Sequence, residues 1–77
     1  MEGVQYKVVH APWVYLRAEP STDSEVVAVF RPGSTMFMSH SLDGWLRTAE
    51  PVHKGRHGWA LEAGTKLGLG VLLTISA

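Results

Sequence analysis

Residues 14–33 read VYLRAEPSTDSEVVAVFRPG, and they narrow the choice of fold more than any other part of the chain. Two apolar runs, Val14-Tyr15-Leu16 and Val26-Val27-Ala28-Val29-Phe30, are built of residues that suit a pleated, half-buried surface. Between them lies a polar link, residues 19–25, rich in turn formers, and Arg31-Pro32-Gly33 stops the second run. The pattern predicts strand, long turn, strand, tight turn.

The same grammar continues on both sides. Tyr6-Lys7-Val8-Val9 reads as a first strand with Tyr6 and Val8 on one face, and Ala11-Pro12 breaks it before Trp13. In the second strand Val14 and Leu16 point inward while Tyr15 and Arg17 share the opposite face. In the third, either Val26, Ala28 and Phe30 or Val27 and Val29 face the core. The bulk of Phe30 and the small Ala28 favour the first set, although a one-residue slip would invert every side chain.

Residues 35–39 form a fourth strand with Met36 and Met38 on one face and Phe37 on the other. Residues 41–44 are a turn whose Asp43-Gly44 is the strongest hairpin signal in the chain, and residues 45–49 are a fifth strand. A polar loop over residues 50–57, a short strand over 58–61, a turn over 62–65 with room for a single 3₁₀ turn, and a last strand over 70–76 complete the reading. No stretch keeps the helical apolar period over three turns, so no long helix is expected. Six or seven short strands at regular spacing predict an all-β barrel or sandwich, one domain over residues 4–76.

Size and charge limit what such a domain does. A chain of 77 residues buries only about 60% of the surface its unfolded form exposes. With no cysteine, neither disulfides nor thiolate metal sites support it. Seven Lys and Arg balance seven Asp and Glu without a basic stripe, which argues against a nucleic-acid partner. The apolar residues 67–77 are interrupted by Gly68, Gly70, Thr74 and Ser76 and fall short of the ~20 a membrane span needs. Met1-Glu2-Gly3 opens no secretory signal, so a cytoplasmic location is expected if the chain is complete.

An order of motifs ties these pieces to a known family. Val14, Leu16, Arg17, Pro20 and Ser21 are followed by the apolar strand with Val26 and Phe30, then Gly33, then Gly44-Trp45 and Gly58-Trp59. Over about residues 6–61 this order and spacing resembles the bacterial-type SH3 domains (SH3b). Glu19 stands where that family commonly has glycine, Thr48 and Ala60 where it has larger aliphatics, and the apolar tail runs past its usual end. The resemblance implies a small SH3-like barrel of five to seven short strands that serves as an interaction module. Members of the family are often attached to cell-wall hydrolases, and some bind peptidoglycan. The aromatic array and acidic loop of a eukaryotic SH3 peptide groove are missing from the sequence.

Catalytic chemistry has little to stand on. There is no cysteine nucleophile, Gly-x-Ser-x-Gly elbow or phosphate-cradling loop, and Leu67-Gly68-Leu69-Gly70 reads as a turn. Glu19, Asp23 and Glu25 read as a solvated acidic loop, since catalytic carboxylates need a cleft to shift their pKa values. His53 and His57, with Lys54 and Arg56, decorate a glycine-containing loop in which their spacing does not aim two imidazoles at one ion. No enzyme activity, metal or cofactor is expected.

Four aromatics carry the remaining information, because Trp13, Tyr15, Trp45 and Trp59 exceed what so small a core buries. Either Tyr15 and Trp45 stack on a ligand in a shallow groove bordered by Trp13 and Glu19, or Trp45 and Trp59 cap the barrel ends. The groove reading gives a non-catalytic module for a peptide, a protein or a cell-wall-type glycan. The alternative is a structural accessory subunit whose apolar residues 70–76 dock it into a larger assembly or homo-oligomer. Pairing of those residues with the first strand, which would close the sheet, is favoured over pairing with another chain.

Overall fold

The computed structural model describes residues 3–64, 68 and 70–76. Seven strands occupy them: β1 Val4–Val8, β2 Val14–Arg17, β3 Val26–Phe30, β4 Thr35–Leu42, β5 Trp45–Thr48, β6 Trp59–Leu61 and β7 Leu73–Ile75. All pairings are antiparallel, in one sheet of order β3-β2-β6-β5-β4-β1-β7, and no helix occurs among the described residues. The fold is all-β, a small SH3-like one.

Alternation places the core where the sequence puts it. Tyr6 and Val8 of β1, Val14 and Leu16 of β2, and Met36 and Met38 of β4 are buried, while Lys7, Tyr15 and Phe37 face out. Leu46 of β5 and Ala60 of β6, cross-strand partners, are buried as well. Thr48, on the core side of β5, is 1% exposed, yet its polarity is satisfied. Its hydroxyl accepts a hydrogen bond from the Gly58 amide at 3.1 Å, and its own amide donates to the Gly58 carbonyl at 2.9 Å. A larger aliphatic at this position would leave the Gly58 amide without that partner.

The third strand departs from expectation at Val26. Ala28 and Phe30 pack against the core, but Val26 is 40% exposed. The reason is a register shift: Leu16 pairs with Ala28, whereas Arg17 pairs with Val26, so Val27 is skipped. Across that bulge Val26 falls opposite the outward Arg17 and leaves the face of Leu16.

The β4–β5 hairpin is tighter than the expected turn over residues 41–44. Ser41 and Leu42 belong to the ladder, opposite Leu46 and Trp45, and the turn is Asp43-Gly44 alone. Both turn residues have positive φ, 48° and 85°, as a type I′ hairpin requires. The polar loop over residues 50–57 is also a small hairpin. His53 bridges Arg56, Lys54 and Gly55 make the left-handed turn, and Val52 packs against the core.

The C-terminal strand pairs within the chain. Tyr6 lies opposite Ile75, Lys7 opposite Thr74 and Val8 opposite Leu73. The tail also ties to the continuation of β6. Ala63 bridges Val71, and the Leu72 and Leu73 amides donate to the Glu62 carbonyl at 2.9 and 3.1 Å. On the other side the Val9 amide reaches the Leu72 carbonyl at 3.0 Å. Hydrogen bonds therefore run from β6 through β5, β4, β1 and the tail back to the β6 continuation, which closes the sheet. Leu72 and Leu73, 6% and 1% exposed, plug the inside of that ring. The turns expected at Thr65 and at Leu67 and Leu69 lie outside the described residues.

Candidate functional site

Three of the four expected groove residues meet at one surface. Trp13 precedes β2, Tyr15 lies on the outward face of that strand, and Trp45 opens β5 just after the Asp43-Gly44 turn. Together with Pro12, Leu61 and Leu72 they line an open groove of about 230 Å³. The Trp13 and Tyr15 rings are 6.3 Å apart at 59° to one another, in the range of favourable tilted pairs. They are 40% and 44% exposed, whereas Trp45 is half-buried. Trp59, between Arg17 and Arg47 in the sheet, is half-buried and does not line the groove.

Glu19 takes another position. It is exposed on the link between β2 and β3, its amide donating to the Ser24 hydroxyl at 2.9 Å, and it is not among the groove residues. Thr22 is the residue of that link that reaches the groove. The polar lining is completed by His10 and Arg17. Arg17 shares the outward face of β2 with Tyr15, and its guanidinium carbon sits 5.4 Å from the Tyr15 ring centroid. One guanidinium nitrogen donates to the Ser24 carbonyl at 2.8 Å, which fixes the side chain across the link. The period-two pattern already places Arg17 beside Tyr15. Nothing local in the sequence marks His10, Thr22 or Leu72, which arrive through tertiary pairing.

Charge elsewhere is engaged or dispersed. Arg56 grips Glu25 with two hydrogen bonds of 3.1 and 3.2 Å, joining the β2–β3 link to the residue 53–56 hairpin. That hydrogen bonding first, and the Arg56 charge second, hold the Glu25 carboxyl below its ordinary range and push the Arg56 guanidinium up. Burial, reinforced by the Glu62 carboxylate, pushes the Tyr6 phenol up. His57 donates from Nδ1 to the Thr48 carbonyl at 2.9 Å, while His53 is exposed on the far side of the turn. Among the described residues no three His, Cys, Asp or Glu side chains gather as a metal site would require. No described helix is long and apolar enough to cross a membrane.

A second concavity of about 410 Å³ lies between Phe30, Phe37 and Pro51, with Thr48 and Glu50 at its wall. It gathers fewer aromatic rings than the first.

No family model matches the chain, and neither a curated protein nor a solved structure matches it significantly.

Proposed function

We propose that the chain is a non-catalytic binding module of the SH3b kind, which takes a peptide, a protein segment or a glycan on the groove between Trp13, Tyr15 and Trp45. The observation that carries this reading is convergence. Rings from the segment before β2, from β2 and from the start of β5 meet over one concavity, and two of them stay more than a third exposed. In a domain this small, solvent-facing aromatics held beside one another are costly to leave uncovered and are the residue types that dominate recognition surfaces.

Tyr15 gives the clean test, because its ring lies on the outer face and contributes little to the core. Substituting Tyr15→Ala abolishes retention on the ligand with a small change in melting temperature. Substituting half-buried Trp45→Ala costs both. Pull-down against purified peptidoglycan and against immobilised peptides, with Tyr15→Ala as control, separates the glycan from the peptide branch. Retention that survives both substitutions removes the groove from the function.

The accessory-subunit reading draws on one specific feature. β7 is last in the strand order, and past the residues that the Glu62 carbonyl ties down its Ile75 is 59% exposed, with the preceding Val71 at 58%. An apolar edge strand is a template for another chain. Light scattering of the purified chain decides it: a concentration-independent monomer leaves the groove as the working surface.

A further inference from the structure

The groove has a sign. Its one permanently charged lining residue is Arg17, and no carboxylate lines it among the described residues. The chain as a whole is formally neutral, so this bias is local. Arg17 is also prepared for a partner. Stacking on Tyr15 and the bond to the Ser24 carbonyl hold its guanidinium in place. Of its five N–H donors, one is engaged in that bond, and no described carboxylate pairs with it. Arginine held this way loses less freedom when it forms a charge-assisted pair than a lysine would.

The volume limits what accompanies the charge. About 230 Å³ lies below the ~300–1,000 Å³ of pockets that enclose whole small molecules. It suits one or two side chains of a chain crossing an open surface. From these observations we infer that the groove receives an extended peptide segment of a partner protein, with an acidic side chain next to an aromatic or aliphatic one. The apolar side chain enters between Trp13, Tyr15 and Trp45, and the carboxylate reaches Arg17. The inference rests on the groove being the binding site and adds the charge of its ligand. A lysine or arginine at the same ligand position meets the Arg17 guanidinium without compensation and is rejected.

The test is selection from a phage-displayed library of random heptapeptides on the immobilised full chain, followed by titration of the selected peptides in solution. Acidic residues adjacent to aromatic or aliphatic ones are enriched. Replacing the peptide's acid by its amide weakens binding at least about tenfold, the scale of one charge-assisted hydrogen bond. Arg17→Gln does the same, and the peptide-side change keeps the test valid should that variant lose stability. Enriched peptides that are neutral or basic, yet still lost on Tyr15→Ala, overturn the charge assignment and leave the groove reading standing. So does binding of chitotetraose that shifts the groove's amide resonances while no peptide is selected. If no peptide is enriched and chitotetraose shifts no groove resonance, both readings fall.

Discussion

The two Gly-Trp pairs look alike in sequence, but they need glycine for different reasons, and Gly58→Ala exposes the difference. A Cβ on Gly58 would lie 2.8 Å from the Leu16 Cβ and 3.1 Å from its Cδ2. Leu16 is fully buried at 0% exposure, and its Cβ moves only if the β2 backbone moves. Gly58 is itself tied to Thr48 on both its amide and its carbonyl, so neither side yields freely. Overpacking of this kind costs about 1–3 kcal/mol. The φ of Gly58 is not in the left-handed region, so alanine recovers about 0.4–1 kcal/mol by restricting the unfolded chain. The net loss is up to about 2.6 kcal/mol, with a midpoint of about 1.3 kcal/mol. At about 4–8 °C per kcal/mol for a domain this size, that midpoint lowers the melting temperature by roughly 5–10 °C in a circular-dichroism scan. Gly44 is the contrast: nothing lies within 4 Å of its would-be Cβ, but its φ is +85°. Asparagine, which tolerates that conformation, should therefore be accepted at position 44 and rejected at 58. A Gly58→Ala protein that melts at or above the wild-type temperature would refute the steric argument.

Further expectations concern the tail, the link and the buried phenol. Leu73→Ala removes a side chain that is 1% exposed from inside the ring and should cost about 2–5 kcal/mol, read as a lower urea midpoint; an unchanged midpoint would mean the tail is not part of the folded unit. Removing residues 70–76 should abolish the cooperative transition altogether. The Glu25 carboxyl is held below its ordinary 4.5, so its pairing stabilises the fold above that pH and is lost as pH falls through the depressed value. Glu25→Gln should therefore flatten part of the acid limb of a stability–pH curve, and high salt should shrink the difference, because the pair is exposed. Tyr6 has the opposite sign: its raised phenol favours the fold at neutral pH, an advantage lost as pH rises through the raised value, and Tyr6→Phe should remove that alkaline loss.

Much of the fold was legible because period-two alternation is a local property. Tyr6 with Val8, Val14 with Leu16, and Met36 with Met38 follow from it directly, and Asp43-Gly44 marks its hairpin by backbone chemistry. Val26 was not legible, since a bulge arises from how two strands meet and neither sequence contains it. The tail strand could be recognised from composition, but its partner lay at the other end of the chain. In the groove, the surplus of aromatic residues pointed to Trp13, Tyr15 and Trp45. Glu19 did not join them, because the Ser24 hydroxyl fixes the link's backbone and Thr22 faces the cavity.

The β1–β7 ladder also has a consequence for how fast the molecule forms. It joins the Tyr6 and Ile75 ends of the chain, so its loop-closure entropy must be met before most of its contacts reward it. Topologies dominated by such distant pairings fold slowly for their size. A nascent chain whose last strand has not yet emerged lacks Leu72 and Leu73, and it presents the unpaired flank of β1 to its surroundings. The barrel then completes only once the tail strand has emerged, and the interval before that is when this fold is most open to pairing with the wrong chain.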